Sequence, residues 1–267
     1  VEGVEVLLRW QDGEDHLMLP PDFMDVLEDT GMIREVGDWV IRTACRQLRG
    51  WHDAGHPGLR LSVNVSQHQF NHPDLVQSVA AAIADSGIAP DCVELALSEN
   101  TLSQSGDRTM TTMQELRNLG VRVALDRFGT GLSCLASLQK LPLSALKVDL
   151  FFVHDLVESV SSRAIAQTVI SLGHSLGLQT VAVGVENDSQ RQILQAMGTV
   201  FSAEVVGKEE DPDFSMSGAT GIVTGALSLL LGMGLFMVLP SFVAGLIVKE
   251  EAFLFNVVEG LVRLALL

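Results

Sequence analysis

The feature that most limits how this chain can fold is a repeated change of hydrophobic period. Short apolar runs with strand character (EVLLRW, LSVNVS, VELALS, VRVALD, ALKVD and TVAVGV) take turns with longer stretches whose apolar residues recur every three or four positions. The longer stretches include IREVGDWVIRTACRQLRGW, DLVQSVAAAIADSG, RTMTTMQELRNLG and SRAIAQTVISLGHSLG, several of them ending in a glycine that suits a helix C-cap. Strand and helix in alternation imply a parallel sheet, because consecutive parallel strands can be joined only through a crossover. Polar residues gather at or just past the strand ends: Asn64, Ser98, Asp126, Asp149 and Glu186, with Glu5 inside the first run. In a (β/α) barrel that end carries the chemistry. An open doubly wound sheet has the same rhythm, but no GxGxxG or P-loop glycine pattern supports it here.

The length of 267 residues suits one such barrel better than two small domains. A net charge of -16 and a pI near 4.7, with no Lys/Arg run, exclude a general nucleic-acid binder, so an anionic ligand would need local basic groups. Cys45, Cys92 and Cys134 lack the spacing of a metal or redox motif and read as buried, reduced thiols. Residues 1–10, with Glu2, Glu5 and Arg9, form a strand-like run and not a secretory signal.

The C-terminal part has a different character. An acidic segment, EVVGKEEDPDF (204–214), precedes a run without a single charge from 214 to 248, and its apolar core, 222–239, has about the length that crosses a bilayer. The expectation is a transmembrane helix within 218–247, with Pro240 ending or kinking it, followed by the start of a second helix in AFLFNVVEGLVRLALL. In that second stretch Glu259 and Arg263 stand four apart and can neutralise each other. A buried core helix laid against an open barrel wall is the competing expectation.

EVLLRW, NVS, VELALSEN, LDRFGTG, LKVD and VGVENDSQ, in this order, resemble the EAL family of cyclic di-GMP phosphodiesterases over residues 1–203, together with LPPDFMDVLEDTGMI after the first motif. The resemblance implies a modified TIM barrel that binds cyclic di-GMP at its C-terminal end and hydrolyses one phosphodiester with a pair of Mg2+ or Mn2+ ions. By that resemblance Glu5, Asn64 and Asp126 are metal ligands, Lys147 positions the attacking water, Glu99 and Glu186 steady the site, and Leu8 and Arg9 belong to the nucleotide contact. The pattern is degenerate, however. Ala96 stands where the family has a metal-binding glutamate, Arg127 where it has the second aspartate of DDFGTG, and Val183 where it has the first glutamate of EGVE, while Ala203 is nearest to a missing glutamine.

Hard divalent cations need anionic oxygen cages. Here Glu5 and Asp126 are balanced by Lys147 and Arg127, so neither charge nor donor number favours metal, and without metal no water is activated near neutral pH. Arg127 suits a phosphodiester, through paired hydrogen bonds, unless it does no more than pair with Asp126 or Glu5. The expectation is therefore an inactive cyclic di-GMP binding module with no cofactor, attached to a membrane segment and facing the cytoplasm, with a protein partner or a second copy as further binding partners. The alternatives are an active Mg2+- or Mn2+-dependent phosphodiesterase, and a non-binding scaffold or composite chain. No strand precedes Glu5 as the family's first one would, and the run after Gly198 does not read as a closing strand, so an incomplete barrel is expected: 1–203 barrel, 204–217 linker, 218–267 membrane segment. His52/His56 and His68/His72 read as loop histidines, and His174 as a packing residue.

Overall fold

The computed structural model describes residues 3–12, 16–104, 106–129, 138–205, 222–225 and 227–232. The expected rhythm is present. Strands β1 (Gly3–Asp12), β3 (Arg60–Val65), β4 (Val93–Ser98), β5 (Arg122–Phe128), β6 (Ala145–Val148), β7 (Gln179–Ala182) and β8 (Val200–Val205) pair side by side in chain order, each parallel to the next. Strand β2 (His16–Met18) turns back on β1 as an antiparallel hairpin arm.

The connecting helices follow from their sequences. Helix α1 (Pro20–Asp29) begins with prolines, whose missing amide hydrogens fall where a helix has no use for them. Helix α2 (Ile33–Asp53) buries Val36, Val40, Ile41, Ala44 and Leu48, a stripe at spacings of one, three and four. Helix α3 (Gln67–Phe70) is a single turn capped by Ser66, and α4 (Leu75–Ser86) stops at Gly87, whose φ of 68° is open to glycine without strain. Helices α5 (Glu99–Gln104) and α6 (Gly106–Leu119) lead to β5, and α7 (Leu150–His154), α8 (Val160–Ser175) and α9 (Asp188–Ala196) follow β6 and β7. Asn187 and Gln190 cap α9 reciprocally: the Asn187 side chain accepts from the Gln190 amide, and the Gln190 side chain accepts from the Asn187 amide.

The apolar layer lies between strands and helices. One cluster joins β1, β3, β4 and β5 to α1, α2, α4 and α6 through Phe23, Leu48, Leu61, Leu95 and Met113. A second joins β5, β6 and β7 to α7, α8 and α9 through Leu146, Phe152, Ile170 and Leu194. Each such fully buried side chain contributes about 1.5–3 kcal/mol. Because side chains alternate along a strand, these outward residues fix which residues point inward, and the inward set is polar.

Two expectations about the wall of the barrel are corrected. The run after Gly198 does form a strand, β8, which pairs with β7. Within the segment expected to form a membrane helix, Ile222–Gly225 is strand β9, parallel to β8, and Leu227–Gly232 is strand β10, parallel to β1. Only one residue separates β9 from β10, so both ends of the sheet meet in this short segment and the ring of strands is closed. The physical reason is that an uncharged apolar run suits a strand of a parallel sheet as well as it suits lipid. Among the described residues no helix is long and apolar enough to cross a membrane. The second apolar stretch, 252–267, lies outside the described residues.

Candidate functional site

The inward faces of neighbouring strands build the site. Glu5 on β1, Ser62 on β3, Glu94 on β4 and Arg122 on β5 occupy matching register positions on four consecutive strands. Two residues further along β3 and β4 come Asn64 and Ala96, themselves a register pair, and at the end of β5 comes Asp126 beside Ser98.

At the centre is Lys147, on β6. Its ammonium is nearly fully buried; it donates to Ser62 Oγ at 2.9 Å and lies 3.8 Å from Glu5 Oε2 and 4.0 Å from Glu94 Oε1. Burial pulls the Lys147 pKa down, but the carboxylates of Glu5, Glu94 and Asp126 outweigh it and hold the group above the ordinary lysine value. Ser62 Oγ in turn donates a hydrogen bond to Glu94 Oε1 at 3.1 Å. Arg122 then anchors the inner end: Nη2 donates to Gln179 Oε1 at 2.8 Å, and Nε lies 3.7 Å from Glu94 Oε2. A chain of polar contacts thus runs across the inner faces of adjacent strands, where branched apolar layers are the usual filling.

At the mouth, Asn64 Nδ2 donates to Glu5 Oε1 at 2.9 Å, so the Asn64 amide presents its donor side to the carboxylate. Asp126 is largely buried, and its pKa is raised, first by that burial and also by Glu5; Lys147, the Arg127 backbone amide and the Arg127 guanidinium act in the opposite direction. Arg127 is the only described non-glycine residue with positive φ, at 55°, and it sits where the β5–β6 register shifts between Leu125 and Phe128. Such a bulge re-aims a side chain. The Arg127 side chain is 74% exposed, with Nε 3.9 Å from Asp126 Oδ2.

The structure therefore brings together Glu5, Asn64, Asp126, Lys147 and Arg127. Arg9 shares the inward face of β1 with Glu5, and its Nη1 donates to Leu8 O at 2.9 Å. Leu8 does not join them: with Val6 and Trp10 it packs on the outer apolar cluster. Glu186 is exposed on the turn before α9, where its charge helps raise the pKa of His154; it is not in the central cluster. Glu99 is buried at the start of α5, and Val183 follows β7, its amide donating to Val148 O at 3.2 Å. Sequence reasoning missed Glu94, Ser62, Arg122 and Gln179. Period two was the available signal, since Glu94 stands two residues before Ala96 and Arg122 four before Asp126. Ala203 belongs to β8, and its side chain lies outside the described residues. Of the histidines, His52 bonds to Leu59 O at 2.9 Å and His72 to Arg34 at 2.9 Å, while His174 lies 3.4 Å from Thr180 Oγ1.

A ring of parallel strands with acids, an amide and a buried lysine gathered on its inner face defines a (β/α) barrel with a polar site at its mouth. The chain belongs to the EAL domain family, whose model matches residues 1–202. A second family, a protein of unknown function (DUF1385), matches residues 189–267. The bifunctional diguanylate cyclase/cyclic di-GMP phosphodiesterase MucR of Pseudomonas aeruginosa is 38% identical over 196 residues, which is 73% of this chain and 29% of that protein. The cyclic di-GMP phosphodiesterase NbdA of the same organism is 40% identical over 195 residues, 73% of this chain and 25% of that protein. The chain thus spans less than a third of the length of either relative. Among solved structures, the MucR phosphodiesterase in complex with cyclic di-GMP superposes with a TM-score of 0.72 at 38% identity, covering 74% of this chain and 80% of that one. The EAL domain of Mycobacterium smegmatis DcpA gives 0.60 at 38% identity, covering 62% of this chain and 74% of that one.

Proposed function

We propose that this chain is a catalytically inactive EAL module that binds cyclic di-GMP through fixed cationic side chains and does not hydrolyse it. The observation that carries this is Arg127: a guanidinium, exposed at the mouth and beside Asp126, at the position where the family resemblance places a metal-binding carboxylate. A guanidinium repels a divalent cation and offers a phosphodiester two parallel donors. The remaining donor set does not fit a pair of divalent ions. Ala96 supplies no oxygen, Asn64 turns its donor side to Glu5, and Glu5 already faces the Lys147 ammonium. A relative solved in complex with cyclic di-GMP supports the ligand class.

Calorimetric titration of the full chain with cyclic di-GMP, in EDTA and then in Mg2+ or Mn2+, tests this. A receptor binds equally in both, and Arg127→Ala weakens binding by about tenfold, the loss of one charge-assisted contact. Binding only with metal, together with the appearance of linear pGpG, would establish instead the active phosphodiesterase. Absence of binding in every condition would leave a scaffold role. We further propose membrane attachment through the uncharged residues that follow the closing strands, 233–248, with the barrel in the cytoplasm, for which the sequence is the support. Recovery of the chain as a monodisperse species without detergent refutes that attachment.

A further inference from the structure

The contacts inside the barrel form one connected row of alternating charge. Arg122 lies against Glu94, Glu94 accepts from Ser62, Ser62 accepts from Lys147, and Lys147 lies against Glu5. Every one of these side chains is at least partly buried, and Lys147 is only 5% exposed, so none of the charges can be exchanged for a solvent ion at low cost. The row is set by strand register and does not depend on loops: Glu5, Ser62, Glu94 and Arg122 stand side by side on adjacent parallel strands. Glu94 is the pivot. It is the one acid that touches both cations through its two oxygens, Oε2 toward Arg122 and Oε1 toward Ser62 and Lys147.

We infer that Glu94 is a positioning residue that fixes Lys147 beneath the mouth, so that the inner face of the barrel carries a resident row of fixed charges where exchangeable cations would otherwise balance Glu5. This deepens the receptor function proposed above and rests on it for its ligand arm only. Because a cyclic dinucleotide is an anion, each charge in the row acts on its affinity with a sign given by Coulomb's law. Removing the Glu94 charge leaves the row more positive and tightens binding. Removing the Arg122 charge leaves it more negative and weakens binding. A role confined to holding up the fold would shift both in the same direction, toward weaker binding.

The test uses the full chain in two arms. In the first, urea unfolding of Glu94→Gln, Lys147→Met and the double variant forms a cycle. The double variant is expected to lose at least about tenfold less in the folding constant than the product of the two single losses, because each single change leaves the other buried charge without one of its counter-charges. Multiplicative losses, within twofold, overturn the inference. Should Glu94→Gln fail to fold, Ser62→Ala removes the hydroxyl that bridges the two charges while leaving their direct 4.0 Å approach, and a smaller coupling of about threefold is expected with Lys147→Met. In the second arm, a fluorescent cyclic di-GMP analogue is titrated in excess EDTA. Glu94→Gln is expected to tighten binding by about three- to tenfold and Arg122→Met to weaken it by a similar factor. Movement of both in one direction, or no change in either, overturns the positioning role. If the unmodified chain binds no analogue, the receptor function fails, and the unfolding cycle alone decides whether the row holds Lys147.

Discussion

If Ala96 and Arg127 are what remove metal from this site, restoring their carboxylates should bring it back. The double variant Ala96→Glu/Arg127→Asp converts a mouth in which Glu5 and Asp126 face Lys147 and Arg127 into four acids around one base. Position 127 accepts the change readily, since its side chain is 74% exposed and its φ of 55° lies in the region where aspartate is among the better-tolerated residues. Position 96 does not, because Ala96 is 2% exposed and a new carboxylate there lacks a full set of donors. Apart from Asn64 across the strand pair, its partner without metal is water, so the variant in EDTA should lose about 2 kcal/mol.

Metal then reverses the loss by mass action. At a free Mn2+ concentration about a hundredfold above the dissociation constant, binding to the folded state alone adds ~2.7 kcal/mol. For a domain of this size that corresponds to a rise in melting temperature of about 5–10 °C. The assay is thermal unfolding of the unmodified chain and the double variant, each in EDTA and in millimolar Mn2+. The unmodified chain should not respond. A response of the unmodified chain equal to that of the variant, or a variant whose melting temperature metal leaves within a degree, would refute the assignment of the two positions.

Further outcomes follow from single contacts. Lys147→Met should cost about 2 kcal/mol at neutral pH in urea unfolding, below the ~3–5 kcal/mol of a wholly buried pair because Glu5 and Glu94 keep some exposure. Since the carboxylates hold the folded Lys147 pKa above 10.5, its contribution is complete below that pH and lost as pH rises through the raised value, so the gap between the two proteins must narrow only in that alkaline window. Gly173→Ala should destabilise by about 1–3 kcal/mol, because a Cβ there would meet Thr180 Cγ2 across the α8–β7 contact; a neutral result would mean that this helix does not seat on the strand. Cys45, buried and with its thiol pushed up to about 12, should resist a thiol reagent in the native state that labels half-buried Cys92, and equal labelling rates would contradict the packing of α2.

Most of the strand and helix order was legible because packing against one apolar layer imposes period two or period three to four on the sequence, and the observed β3, β4, β5 and α2 lie within two residues of the runs that show it. The mouth of the site was legible through its charged residues. Its floor was not, for a reason that lies in register. Glu94 and Arg122 look like ordinary strand polar residues until neighbouring strands align them with Glu5 and Ser62, and that alignment is a property of pairing between distant segments. Their addition, one charge of each sign, leaves the balance read from Glu5, Asp126, Lys147 and Arg127 unchanged. Leu8 entered the site through the resemblance alone, whereas adjacent residues on a strand face opposite sides and its side chain takes the outer one.

The apolar segment from 222 to 232 shows where composition stops being decisive. A lipid span and a strand of a parallel sheet select the same residue types, because both favour apolar side chains and require backbone groups to be paired. They differ in where the pairing partners are. A helix finds them four residues away in its own chain, and β9 and β10 find them on β8 and β1. Without that segment, β1 and β8 would each present an unpaired edge, and an exposed parallel edge invites association. The same residues cannot fill both roles at once: if 222–232 closes the barrel, any membrane contact must come from other residues, and if it crosses a bilayer, the edge of β1 beside Glu5 and Arg9 must find another cover. Amide exchange along Leu7, Arg9 and Gln11, whose amides point toward β10, separates the two. Protection there that persists without lipid belongs to the closed ring, and protection that appears only with lipid present belongs to the span.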